Sequence, residues 1–90
     1  MFIVVNRCFG GFSLSKAAQE QLGINTAYPD ISRDDPRLVE VVQELGEQAA
    51  GHSANLVVES IPDFATDWTI NDYDGYEDII YVVNGRLCYA

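Results

Sequence analysis

The chain has few positively charged residues. Only five of its 90 residues are Lys or Arg, against 14 Asp or Glu, which gives a formal net charge of −9. A surface this negative repels the phosphates of nucleic acids and of anionic lipids, so we expect neither nucleic acid nor a membrane as a direct partner. Basic protein surfaces are the partners that such a charge attracts.

Cysteine, histidine and long apolar runs are scarce as well. Two Cys residues and one His residue provide neither a disulfide framework nor the spacing of a metal site, so we expect no metal and no cofactor. The apolar run at residues 2–5 is too short to span a membrane. No basic region precedes it, as would be typical of a signal peptide. The sequence therefore favours a cytoplasmic protein.

Apolar residues, in contrast, are abundant. They make up 48% of the chain, and four Phe, five Tyr and one Trp are among them. This is the composition of a folded protein rather than of a disordered one. A length of 90 residues predicts a single domain over residues 1–90.

Two helices are indicated by capping residues and apolar spacing. Ser15 is a typical N-cap residue and predicts a helix from Lys16 to Leu22. Asp35 and Pro36 predict the start of a second helix, which we expect to continue to Gly51. Its buried stripe is predicted to comprise Leu38, Val41, Val42, Leu45 and Ala49.

Five segments have the composition of strands: Phe2–Val5, Leu56–Ile61, Asp67–Tyr73, Tyr76–Val83 and Arg86–Ala90. Because two helices separate the first two strands, we expect those strands to be parallel. The dipeptides Asp74-Gly75 and Asn84-Gly85 favour two-residue hairpins and predict an antiparallel meander of the last three strands. The predicted fold is α+β, in the order β-α-α-β-β-β-β, with about five strands in one mixed sheet and both helices on one face.

The hairpin turns also predict which side chains share a face of the meander. Alternation along the strands defines two faces. We expect the helices to cover the face that carries Trp68, Ile70, Ile79, Tyr81, Val83 and Cys88. The opposite face carries Thr69, Asn71, Tyr73, Tyr76, Asp78, Ile80, Val82, Leu87 and Tyr89. Its mixture of tyrosine, aliphatic and acidic side chains is typical of a binding surface.

Acidic residues are concentrated around the first hairpin turn. All seven acids of residues 51–90 lie between Glu59 and Asp78, with no base among them. The predicted register places Asp72 opposite Glu77, and like charges in this position destabilise a hairpin unless a cation or a basic partner neutralises them. We therefore predict a partner-binding site, with a solvated hairpin tip as the alternative. The predicted site residues are Asp72, Tyr73, Asp74, Tyr76, Glu77 and Asp78.

Two further patterns could in principle bind an ion. A calcium loop of the EF-hand type centred on Gly75 would need acids where Ile70 and Tyr81 stand, which excludes it. The pair Gly10-Gly11 joins a strand to a helix, as some anion sites do. It matches neither the dinucleotide-binding nor the P-loop pattern, so we interpret it as a structural turn.

The last predicted strand has the features of a sheet edge. Leu87-Cys88-Tyr89-Ala90 is short and carries no charged side chain. An uncharged edge can pair with the same strand of a second copy, so we predict a homodimer in which Leu87 and Tyr89 are the self-association residues.

Four segments together resemble a family of small bacteriophage and prophage proteins. They are IVVNRCFGGFSLS at residues 3–15, RDDPRLVEVV at residues 33–42, the stretch from Val57 to Asp63, and Tyr73-Asp74-Gly75. The family has no assigned activity, so the resemblance implies a viral origin. Small acidic phage proteins are often inhibitors of host machinery, including anti-CRISPR and DNA-mimic proteins.

These observations lead to two functional hypotheses. The first is a phage-encoded binding protein that inhibits or modulates a host protein with a basic surface, through the acidic, tyrosine-bearing C-terminal sheet. The alternative is a structural or regulatory phage protein that acts by self-association. An enzyme is not expected, because no Ser-His-Asp set can be assembled and no spacing supports a pair of Cys8 with His52.

Overall fold

The helices and strands follow one another in the predicted order. A computed structural model describes residues 1–90. Its elements are β1 (Phe2–Asn6), α1 (Lys16–Leu22), α2 (Pro36–Leu45), a 3₁₀ helix (Gly46–Ala49), β2 (Leu56–Ser60), β3 (Asp67–Tyr73), β4 (Tyr76–Val83) and β5 (Arg86–Tyr89). The α+β class is confirmed.

Local capping chemistry sets the bounds of α1. The hydroxyl of Ser15 accepts a hydrogen bond from the backbone N–H of Ala18 at 3.1 Å. Gly23 ends the helix in the left-handed conformation, with φ of 71°. Both ends of α1 are those predicted.

The second helix begins as predicted but ends earlier. The carboxylate of Asp35 accepts a hydrogen bond from the backbone N–H of Arg37 at 2.9 Å. This bond is the main reason that the pKa of Asp35 is lowered. The helix ends at Leu45 rather than at Gly51, because Gly46 has φ of 58° and ψ of −127°, a conformation that favours glycine. The chain then continues as the 3₁₀ helix, and Leu45 is only half-buried.

The first two strands are antiparallel, so the predicted parallel pairing is wrong. Phe2 lies opposite Ser60, and Asn6 lies opposite Leu56. A single crossover helix would return the chain to the start of β1, and β2 would then run parallel to β1. Here α1 and α2 pack on each other and carry the chain out and back, so that β2 begins beside the end of β1.

The five strands form two sheets, and the predicted single mixed sheet is wrong. One sheet contains β1 and β2, and the other has the order β3-β4-β5. The second edge of β1 is occupied by other groups. The N–H of Val4 donates to the carbonyl of Arg33 at 2.8 Å, and the N–H of Asn6 donates to the Glu77 carboxylate at 2.8 Å. These two donors are therefore not available to pair with a further strand.

The β1–β2 sheet lies between the helices and the meander. The core on its helix side contains Val4, Leu14, Ala18, Leu38, Val39, Val41, Val42, Ala49 and Leu56. The core on its meander side contains Ile3, Val5, Ile61 and Ile79, with Trp68, Ile70 and Tyr81 packed against it. The inner face of the meander therefore packs on β1 and β2. The prediction that helices cover it is wrong.

None of the helices combines the length and the apolar character that crossing a membrane requires.

Candidate functional site

The hairpin around Asp74-Gly75 has the predicted register. Tyr73 lies opposite Tyr76, and Asp72 lies opposite Glu77. Asp74 and Gly75 have φ of 52° and 93°, as a two-residue turn with two left-handed residues requires. The carboxylate of Asp72 accepts a hydrogen bond from the N–H of Gly75 at 2.8 Å, which stabilises the turn.

The tip of this hairpin packs against the glycine turn that follows β1. A Cβ atom at Gly75 would lie 2.5 Å from the carbonyl oxygen of Phe9 and 2.6 Å from the nitrogen of Gly11. Only glycine allows such an approach of the two backbones. The side-chain amide of Asn6 donates to the carbonyls of Gly75 and Cys8, at 2.7 and 2.6 Å. The tip is therefore fixed to the body of the protein.

Glu77 lies in the interior, at the centre of a polar network. It is 3% exposed, and its two carboxylate oxygens accept hydrogen bonds from Arg33 at 2.5 and 2.8 Å. The same carboxylate accepts the N–H of Asn6. The Arg33 guanidinium also lies 3.8 Å above the ring of Phe12. The negative charge of Glu77 is thus neutralised within the chain rather than by a partner.

This position removes Glu77 from the predicted partner-binding surface. A carboxylate that is buried and bonded to Arg33 and Asn6 has no exposed oxygen with which to contact another molecule. The sequence did indicate this burial. Side chains alternate between the two faces of a strand, so Glu77 points to the same face as Ile79, which lies in the core.

Arg7 fixes the outer side of β4. Its guanidinium donates a hydrogen bond to Asp78 at 2.6 Å and lies 3.4 Å from Glu59. Partial burial lowers the pKa of Arg7, but the hydrogen bond to Asp78 and the charge of Glu59 outweigh it and raise that pKa above its ordinary value. The guanidinium carbon also lies 5.7 Å from the ring centre of Tyr76. Asp78 is therefore a paired carboxylate rather than a free one.

Of the remaining predicted residues, Asp72, Tyr73 and Asp74 are exposed and Tyr76 is half-buried, and the structure adds Phe9 to them. Tyr73 is 73% exposed and Phe9 is 62% exposed. The rings of Phe9 and Tyr76 lie 5.4 Å apart and tilted. The side chains of Asp72 and Asp74 are exposed to solvent. We call this patch the hairpin surface: Phe9, Asp72, Tyr73, Asp74 and Tyr76.

Phe9 was missed in the sequence because it belongs to the glycine turn, 67 residues before Tyr76. No pattern local to residues 7–13 indicates that this turn meets the hairpin. The only hint in the sequence that this turn contributes to a binding surface is the apolar residue before Gly10-Gly11.

The predicted self-association residues lie elsewhere on the same outer face. Leu87 and Tyr89 are 64% and 66% exposed and lie on β5, at the edge of the meander. Tyr89 is opposite Ile80, which lies along β4 about 13 Å from Tyr76 at the usual rise per residue. The structure therefore separates the self-association residues from the hairpin surface.

Two other features bear on ligand binding. The largest concavity, of about 460 Å³, lies between β1 and α2 and is lined in part by Phe2, Val39 and Glu40. None of the predicted site residues lines it. No group of three or more His, Cys, Asp or Glu side chains is arranged to hold a metal ion.

Comparison of the chain with protein-family models, with curated proteins and with solved structures gave no match.

Proposed function

We propose that this protein binds another protein, one with a basic surface, through the hairpin surface. The observation that supports this most directly is the cluster of exposed aromatic side chains beside exposed carboxylates. Tyr73 and Phe9 are exposed, and the exposed residues Asp72 and Asp74 flank Tyr73 along the chain. Tyrosine and other aromatic anchors are enriched at the residues that dominate binding energy.

Rigidity of the site supports the same proposal. The hairpin tip is fixed by the close approach of Gly75 to the glycine turn and by the hydrogen bonds of Asn6. A surface that is already ordered loses little conformational entropy on binding. The ion pairs Arg33–Glu77 and Arg7–Asp78 hold β4 in place beneath this surface. We therefore assign these four residues the role of positioning the hairpin surface.

The distribution of free charge favours a protein interface over mimicry of DNA. Of the seven acids between Glu59 and Asp78, three are neutralised by arginines of the same chain: Glu59, Glu77 and Asp78. The free carboxylates of the hairpin surface are those of Asp72 and Asp74. These are too few to imitate a row of phosphates, but enough to steer a basic partner during association.

The source of the partner follows from the sequence resemblance alone. On that basis we propose a bacterial host protein as the partner, bound in the host cytoplasm, and inhibition or modulation of that protein as the outcome.

Affinity capture with the wild-type protein, followed by binding kinetics with the captured partner, tests the proposal. Tyr73→Ala should raise the dissociation rate, since it removes buried aromatic area. The pair Asp72→Asn and Asp74→Asn should slow association and reduce its dependence on salt. A matched pair on the exposed face of the helical layer, Glu44→Gln and Glu47→Gln, removes the same charge and should slow association clearly less than the hairpin pair does.

Unchanged kinetics for all hairpin variants, with folding verified by circular dichroism, would place the binding site elsewhere. Equal effects of the hairpin pair and the helix pair would show that only net charge matters and that the hairpin surface is not the site.

A further inference from the structure

The three open strand edges of the molecule differ in charge. The outer edge of β3 carries Asp67 and Asp72, and the outer edge of β2 carries Glu59. Charged side chains of this kind protect an edge from pairing with another chain. Residues 79–90, which include β5 and most of β4, contain no Asp or Glu, and Arg86 has their only charged side chain. The edge of β5 lacks this acidic protection.

The hydrogen bonds of β5 show which of its backbone groups are unpaired. Ile79 and Ala90 exchange both N–H to carbonyl hydrogen bonds, at 2.9 and 3.0 Å. In an antiparallel pair, bonded and non-bonded positions alternate. Cys88, opposite Tyr81, therefore bonds to β4. The N–H and carbonyl groups of Leu87 and Tyr89 point away from β4, towards the open edge.

We propose that this edge pairs with the β5 edge of a second copy, in an antiparallel register centred on Cys88. This register brings Leu87 of each copy opposite Tyr89 of the other. Each such pair can exchange both of its backbone hydrogen bonds, so every outward group of the two residues is satisfied. A two-fold axis then joins the two three-stranded sheets into one continuous sheet.

Charge and side-chain chemistry select a second copy as the occupant. A basic partner has no Asp or Glu side chain to bind within residues 79–90. A copy of the same strand, in contrast, presents the complementary hydrogen-bond pattern and an aliphatic side chain for each aromatic one. Leu87 and Tyr89, at 64% and 66% exposed, would cover one another across the new pair.

The register makes Cys88 a reporter of the interface. Its side chain lies on the inner face of the meander, and it is a free, half-buried thiol. In the proposed dimer the two Cys88 residues form a non-hydrogen-bonded pair, with Cα atoms about 4.5 Å apart. That distance lies within the range for a disulfide. Cys8, the other free thiol, lies after β1 and away from this edge.

Cross-linking tests the register. Copper phenanthroline, an external oxidant, takes two electrons from a pair of thiols, which release two protons as the sulfur–sulfur bond forms. Cys8→Ser, which retains Cys88, should yield a cross-linked dimer on a non-reducing gel. Cys88→Ser, which retains Cys8, should stay monomeric on the same gel. Absence of the Cys88 cross-link, or equal cross-linking of both variants, would overturn the register.

Sedimentation at high protein concentration tests the edge itself. High salt screens the repulsion between copies that each carry a charge of −9, so the mass should approach twice the chain mass of 10.0 kDa as salt rises. Leu87→Pro removes the outward N–H without removing a bond to β4 and should abolish the dimer. Leu87→Ala keeps the N–H and should only weaken the dimer.

A strict monomer for the wild type at high salt would overturn the proposal, as would a dimer that Leu87→Pro leaves intact. If Leu87→Pro does not fold, the cross-linking pair decides. The interface is independent of the hairpin surface, so Tyr73→Ala should dimerise as the wild type does.

Discussion

At the scale of single residues, Glu77 connects three parts of the chain. It belongs to β4, it accepts the N–H of Asn6 at the end of β1, and it binds Arg33 in the segment before α2. A strand edge is ordinarily completed by the backbone of another strand. Here the carboxylate of Glu77 accepts the last outward N–H of β1, that of Asn6, and this contact holds the hairpin next to the glycine turn.

We predict that Glu77→Gln destabilises the protein strongly. Glutamine can still accept a hydrogen bond from Asn6, but it leaves the Arg33 guanidinium largely buried without its counter-charge. Breaking a buried ion pair in this way costs on the order of 3 kcal/mol. Urea unfolding measures the loss. Asp72→Asn, directly opposite on β3 and exposed, is the control and should change the free energy of unfolding by less than about 0.5 kcal/mol.

Equal unfolding midpoints for Glu77→Gln and Asp72→Asn would show that the buried network contributes nothing to stability.

A comparison of the two hairpin glycines distinguishes the effect of tip packing on stability from the effect of turn geometry. Gly75 and Gly85 have φ of 93° and 75°, so alanine at either position is strained. Gly85 has open space around it, whereas a Cβ at Gly75 would clash with the backbone of the glycine turn. Gly75→Ala should therefore lose more stability than Gly85→Ala, by roughly 1–3 kcal/mol as for an overpacked site.

Thermal unfolding of the two variants gives this difference. Amide hydrogen exchange at Asn6 should accelerate only in Gly75→Ala, since its N–H depends on the position of Glu77. Equal losses of stability would mean that the tip does not pack closely on the glycine turn.

At the scale of elements, α2 contributes most to the core through its first two turns. Leu38, Val39, Val41 and Val42 are buried, whereas Leu45 is only half-buried because Gly46 ends the helix after it. The apolar spacing alone predicts that Leu38 and Leu45 are both buried. Because the conformation of Gly46 ends the helix, Leu45 is less buried than Leu38.

Leu38→Ala should lower the free energy of unfolding by about 2–5 kcal/mol, the range for a leucine truncated in a core. Leu45→Ala should cost clearly less, because part of its side chain is already in contact with water. Chemical denaturation of both variants, with the exposed Gln43→Ala as a control on the same helix, measures the difference. A larger loss for Leu45 than for Leu38 would contradict the helix end at Gly46.

At the scale of the whole molecule, the net charge of −9 leaves many acids without a basic partner. Arginines pair with the acids that support the hairpin, while the exposed side of the helical layer carries Glu40, Glu44 and Glu47 without a basic residue bonded to them. Repulsion among unpaired charges of one sign opposes folding into a small volume.

We therefore predict that salt raises the melting temperature. Screening weakens repulsion between exposed charges more than it weakens the largely buried Arg33–Glu77 pair. The triple variant Glu40→Gln, Glu44→Gln and Glu47→Gln, with a net charge of −9 plus 3, or −6, should show a smaller rise. A melting temperature that falls with salt in the wild type would show that exposed ion pairs outweigh the repulsion.

Features that depend on neighbouring residues could be predicted from the sequence. Ser15 and Asp35 cap their helices because a side chain reaches a backbone N–H two or three residues away. The dipeptides at Asp74 and Asn84 set the register of the whole meander, because a two-residue turn leaves one pairing of the flanking strands.

Features that depend on distant residues were decided by the tertiary structure. Arg33 and Glu77 are 44 positions apart, and no local pattern indicates that they meet. That contact, with those of Asn6, separates the strands into two sheets and turns a predicted binding residue into an interior one. Phe9 joins the site for the same reason. The physical cause is that buried donors and charges must be satisfied, and the folded chain satisfies them with whatever group lies nearest in space.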